Sequence, residues 1–105
     1  MKKNNEEKFI DEILKIRINS IASKIKYGVN PVYPESQKYN EYNQFLKTLN
    51  NEQKQVLSNL LQLTRDDAIF DLLELIDDNI DLKITQNEEE LDSLSWIYEN
   101  EVYYD

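Results

Sequence analysis

Backbone punctuation is almost absent from this sequence. Its one glycine, Gly28, and its two prolines, Pro31 and Pro34, fall close together, and the long stretches on either side contain neither residue. A fold made of many short strands needs a turn roughly every 8–12 residues, and Gly and Pro are the residues that make such turns cheaply. Helices need far fewer. The expected fold is therefore mainly α.

The apolar residues support that expectation. Phe9, Ile10, Ile13, Leu14, Ile18, Ile21 and Ile25 recur at spacings of three and four, which predicts one helix from about Glu6 to Tyr27. Gly28 is placed to stop it, and 29–35 reads as an extended connector. Ser36 can cap a second helix whose buried face would be Tyr39, Tyr42, Phe45, Leu46 and Leu49. Asn50 to Gln53 offers a cap for a third, carrying Val56, Leu57, Leu60, Leu61 and Leu63. At 100° per residue, Leu60 and Leu63 point away from the stripe Ile69, Leu72, Leu73, Ile76 and Ile80 that follows. Either one long helix buries different faces in its two halves, or the helix breaks or kinks near Thr64. Thr64-Arg65-Asp66-Asp67 resembles a capping box, which favours the break. Beyond Asn79, Leu82, Ile84, Leu91 and Leu94 alternate around Gln86-Asn87-Glu88 as in a small hairpin. The aromatic-rich ending from Trp96 to Asp105 fits a short helix or a strand. The expected architecture is four helices with a small C-terminal β-hairpin, in a single domain over residues 1–105. A chain of this length can bury roughly two thirds of its unfolded surface.

Charge is polarised along the chain. After Arg65 there is one basic residue, Lys83, against fourteen acidic ones, so residues 66–105 carry −13. Residues 1–65 carry eleven basic and seven acidic residues, or +4, and the two parts add to the overall −9. Such asymmetry speaks to partners rather than to fold. Ten Lys against two Arg fits an AT-rich genome, such as that of a low-GC bacterium or its phage.

Several chemistries are excluded or disfavoured. There is no Cys, so disulfides, thiol catalysis and Cys zinc sites are ruled out. There is no His, which removes the usual base near neutral pH and the commonest transition-metal ligand. No phosphate-binding loop, Gly-rich dinucleotide motif or nucleophile elbow occurs. The residues point to no catalytic site, no cofactor and no metal. No apolar run approaches a membrane span, and the first residues lack the apolar core of a secretion signal, so a cytoplasmic location is expected.

The strongest pattern is a row, Asp67, Asp71, Glu74 and Asp78, spaced i, i+4, i+7, i+11. These acids share one helix face opposite the apolar stripe. A solvated outer face would carry such a row, but usually with Lys mixed in, and none occurs between Arg65 and Lys83. Like charges at i,i+4 cost roughly 0.2–0.5 kcal/mol per pair. A negative face kept at that cost suggests a cationic partner: a basic protein surface, with a nuclease or toxin as the sharpest case. Trp96 and Tyr98, aromatic residues among acids, are the candidate anchors beside the row. The row spans roughly 16 Å, a charge every ~5 Å against ~3.4 Å per phosphate along a DNA strand, a spacing compatible with nucleic-acid mimicry. Direct nucleic-acid binding is disfavoured by the net charge. Two further uses stay open: pairing within the chain with lysines such as Lys15 or Lys24, and a homodimer joining positive to negative ends. A metal-dependent enzyme using paired carboxylates is a further alternative.

Three stretches resemble a family of small bacterial proteins known only as a domain of unknown function. They are Tyr33-Pro34-Glu35-Ser36 with Leu46-Lys47-Thr48-Leu49; Glu52-Gln53-Lys54-Gln55-Val56-Leu57 running through Leu60-Leu61-Gln62 to Arg65-Asp66-Asp67-Ala68-Ile69-Phe70-Asp71; and Leu82-Lys83-Ile84, Glu90-Leu91 and Glu101-Val102-Tyr103-Tyr104-Asp105. The resemblance runs from about Tyr33 onward. It implies helices followed by a small hairpin and carries no activity or functional residue with it.

Overall fold

The computed structural model describes residues 3–18 and 20–104. Five helices and one two-stranded antiparallel sheet follow in the order α1 (Asn5–Ile18), α2 (Ile21–Lys26), α3 (Asn40–Lys47), α4 (Asn51–Asp78), β1 (Thr85–Gln86), β2 (Glu89–Glu90) and α5 (Leu94–Val102). The protein is mainly helical with a C-terminal hairpin, as expected. The chain divides into two compact units, one of residues 1–17 with 65–105 and one of 18–64.

Local side chains explain where the helices start and stop. Glu7 N–H donates to Asn4 Oδ1 at 2.8 Å, and Asn4 N–H returns to Glu7 Oε1. Asn50 and Gln53 make the same reciprocal pair at 2.8 and 2.9 Å, so both α1 and α4 begin in capping boxes. The single helix expected over Glu6–Tyr27 is instead two, because Ser20 takes extended backbone at the head of α2 (φ −140°, ψ 175°). Short polar side chains favour such positions over a helix interior. At the far end of α2, Gly28 N–H reaches Ile25 O and Val29 N–H reaches Lys24 O. That is a Schellman end, and Gly28 supplies the left-handed residue it needs (φ 70°).

The break expected near Thr64 does not occur; α4 is helical without interruption. Thr64 caps nothing. Its Oγ1 donates back to Leu60 O at 3.0 Å, inside the helix. The residues that signalled a rotated stripe, Leu60 and Leu63, are exposed, and so is Val56; the first half of α4 instead turns Ser58 inward, with Leu57, Leu61 and Gln62 half-buried around it.

In the 18–64 unit, the expected α3 face is also corrected. Tyr42 and Phe45 are exposed, and the buried α3 residue is Asn43. Its amide clamps the preceding loop: Tyr33 N–H donates to Oδ1 and Nδ2 donates to Tyr33 O, both at 3.1 Å. A buried main chain must find such partners. Ala22, Ile25 and Val32 are buried in this unit, and Ser58 Oγ donates to Ala22 O at 2.7 Å.

In the other unit, Ile10, Leu73, Leu91, Leu94 and Tyr98 form the core, with Phe9, Ile13, Leu14, Ile69, Phe70 and Ile84 packed around it. The hairpin pairs Thr85 with Glu90 and Gln86 with Glu89. Both turn residues, Asn87 (φ 54°) and Glu88 (φ 65°), are left-handed, as a tight two-residue hairpin turn requires. Asn5 Nδ2 ties the hairpin to α1 through Gln86 O and Glu89 Oε2.

Candidate functional site

The second half of α4 presents two kinds of acid. Asp66, Phe70, Leu73 and Asp77 follow i, i+4, i+7, i+11 and form its inward stripe together with Ile69 and Ile76. Asp66 is 2% exposed. Arg17 of α1 holds it with two charge-assisted hydrogen bonds, Nε to Oδ1 at 2.6 Å and Nη2 to Oδ2 at 2.9 Å. Arg65 Nη2 also donates to Ile16 O at 2.9 Å. Asp77 does a different task. It accepts from Leu94 N–H, Ser95 N–H and Ser95 Oγ at 3.2, 2.7 and 2.7 Å. Ser93, left-handed at φ 57°, does not cap α5 itself. A carboxylate borrowed from α4 therefore caps the N-terminus of α5, where the helix dipole favours negative charge.

These bonds fix the direction of α5. Its first residues sit at Asp77. Near its end, Tyr98 Oη lies 3.4 Å from Asp66 Oδ1 and Tyr103 Oη donates to Asp67. The helix therefore runs antiparallel to the second half of α4. The Tyr103 ring also meets Phe70 edge-on, with centroids 6.2 Å apart.

The other four acids face outward. Asp67, Asp71, Glu74 and Asp78 are all exposed. Among the described residues, Asp71, Glu74 and Asp78 make no ion pair. The alternative of internal pairing with Lys15 is not seen, because Lys15 bridges Glu12 in its own helix at 2.8 Å. The apolar stripe expected opposite the row needs correction as well. Leu72 is 57% exposed because Asp66, Phe70 and Asp77 take the inward positions, and Ile80, 88% exposed, lies in the turn beyond the end of α4. On α4, Leu72 and Leu75 (54% exposed) consequently flank one side of the acidic row. On its other side lies α5. Trp96 precedes Tyr103 by seven residues, so the two share the α5 flank that meets Asp67. Trp96 is 65% exposed.

Tyr98 does not belong to this surface. It is 0% exposed and occupies the core, its hydroxyl directed at the Asp66–Arg17 pair. On α5 it lies two residues from Trp96, about 200° around the helix, so the two cannot share a face. Burial pushes its pKa up to about 12, and the adjacent Asp66 charge adds to the shift. Burial raises Tyr103 too, followed by its hydrogen bond to Asp67. Tyr103, which joins the two helices at the head of the row, was not among the residues expected at the site. Its only signal in the sequence is its i+7 spacing from Trp96.

Among the described residues no group of three or more acidic side chains converges to hold a metal ion. No helix is long and apolar enough to cross a membrane. The surface is thus an acidic ridge with aromatic and leucine borders. It sets exposed carboxylates and exposed apolar area side by side.

Comparison with known families places the chain. It matches the family of unknown function DUF6547 over residues 2–105 and belongs to that family. No curated protein and no solved structure matches it.

Proposed function

We propose that this protein is a non-catalytic binding module whose acidic face docks on a basic protein surface. The observation that carries this reading is exposed apolar side chains together with acids that, among the described residues, make no ion pair: Asp71, Glu74 and Asp78 with Leu72 and Leu75 on α4, and Trp96 on the neighbouring α5. Two leucines and a tryptophan more than half exposed supply the apolar and aromatic area that the core of a docking surface uses, with the carboxylates as its polar rim. Charge complementarity would steer the encounter and set its specificity. Small acidic immunity proteins and phage-encoded inhibitors of nucleases work in this manner, and the analogy is one of size and charge. A cytoplasmic location and a bacterial or phage origin suit such a role.

The test compares wild type with the Asp71→Lys, Glu74→Lys double variant. The partner is first captured by cross-linking at ~0.1 M salt, and its affinity for both proteins is then measured. The double variant is expected to bind at least about tenfold more weakly, with a loss that shrinks at high salt as the charges are screened. Its melting temperature should hold or rise slightly, because two i,i+4 repulsions become attractions. Unchanged affinity would retire the acidic-docking reading. Self-association in sedimentation, lost in the same variant, would favour the homo-oligomeric alternative.

A further inference from the structure

We propose that a cavity within the 18–64 unit binds a small organic carboxylate with an apolar body of about one ring. The cavity measures about 220 Å³ and is lined by Ile25, Val29, Val32 and Leu46 on its apolar side and by Asn30, Asn43, Lys47 and Lys54 on its polar side, with Gly28 at its edge. Its walls are fixed by features already described. The Schellman end of α2 turns the chain at Gly28, and the Asn43 clamp on Tyr33 holds the following loop against α3.

Two things point to an anion. No acidic side chain lines the cavity, although the chain carries −9 overall. Lys47 ends α3 and Lys54 lies in the first turns of α4, and among the described residues neither is ion-paired. Lys54 is half-buried. A partly desolvated ammonium without a counter-charge is unfavourable, and a bound carboxylate relieves it. The apolar lining argues against a bare inorganic anion, which would leave Ile25, Val32 and Leu46 without a contact. Size sets the rest: a cavity of about 150 Å³ accommodates benzene, so this one takes a ring and its carboxylate. The site shares no residue with the acidic face, so the two readings stand or fall separately.

The experiment is an NMR titration of the ¹⁵N-labelled full chain with benzoate, benzyl alcohol, benzylamine and inorganic phosphate in turn. Benzoate should shift the amides of Val29, Asn30, Val32, Asn43, Lys47 and Lys54 saturably, with a dissociation constant on the order of 1 mM or below. Benzyl alcohol, benzylamine and phosphate should each bind at least about tenfold more weakly. Lys54→Gln and Lys47→Gln should each weaken benzoate by roughly tenfold while leaving the remaining spectrum in place, as expected for loss of a charged hydrogen bond. The proposal is overturned if benzoate causes no saturable shift, if benzyl alcohol or phosphate binds as well, or if both lysine variants bind benzoate like wild type.

Discussion

Replacing Asp66 by Asn removes one negative charge from the interior and changes little in shape. Arg17 is left with its guanidinium against a neutral amide, in place of a carboxylate that accepted at 2.6 and 2.9 Å. Removing one partner of a buried pair costs about 3–5 kcal/mol when the survivor is fully buried. The Arg17 side chain keeps 23% exposure, so water can reach it, and Asn can still accept one hydrogen bond. The expected cost therefore falls just below that range, at about 2–3 kcal/mol. For a domain of this size each kcal/mol moves the midpoint by roughly 4–8 °C, so the melt should fall by about 10–20 °C. Thermal and urea melts followed by circular dichroism measure it. Arg17→Met and the double variant complete a cycle, and the coupling between the two sites should lie in the range of about 1–3 kcal/mol. A midpoint within ~3 °C of wild type for Asp66→Asn, or strictly additive losses in the double variant, would refute the view that this pair secures α1 to α4.

The hairpin turn and the buried tyrosines give two more expectations. Glu88 at φ 65° bears the penalty of a side chain in left-handed backbone, about 1–2 kcal/mol. Glu88→Gly should remove it and gain about 0.5–1 kcal/mol after glycine's larger chain entropy, and urea melts showing a loss would contradict the turn geometry. Tyr98 in the folded state ionises near 12, above its usual 10. Its contribution to stability is complete below pH 10 and is lost as pH rises through about 12. Absorbance at 295 nm should show late-ionising tyrosines, Tyr98 and Tyr103, and Tyr98→Phe should remove one of them; a titration complete by pH 11 in the folded protein would oppose the burial.

Much of this was legible from residue spacing. The scarcity of Gly and Pro gave long helices, the Asn50–Gln53 pair gave the start of α4, and Gly28 gave the end of α2. The outward row of Asp67, Asp71, Glu74 and Asp78 followed from the 3.6-residue period. What failed was the assumption that the inward stripe must be apolar. Asp66 and Asp77 lie in phase with Phe70 and Leu73, and both are used inside, one against Arg17 and one as a cap for α5. That rotated the helix enough to expose Leu72. Tyr98 was misplaced for a related reason. An aromatic residue among acids reads as a surface anchor, yet here the nearest acid, Asp66, is itself buried. Neither pairing is visible locally, because Arg17 lies 49 residues from Asp66 and Ser95 lies 18 from Asp77.

The unit that carries the acidic face is assembled from both ends of the chain, residues 1–17 and 65–105. A ribosome delivers those ends at different times. The apolar stripe of α1, with Phe9, Ile10, Ile13 and Leu14, emerges well before the residues that cover it, Leu73, Leu91, Leu94 and Tyr98. Translation at roughly 5–20 residues per second makes that a wait of several seconds. The intervening segment has local pairings available sooner, Asn43 on Tyr33 and Ser58 on Ala22. Nascent α1 thus carries an uncovered apolar side until α5 has been made, the kind of transiently exposed surface that invites aggregation.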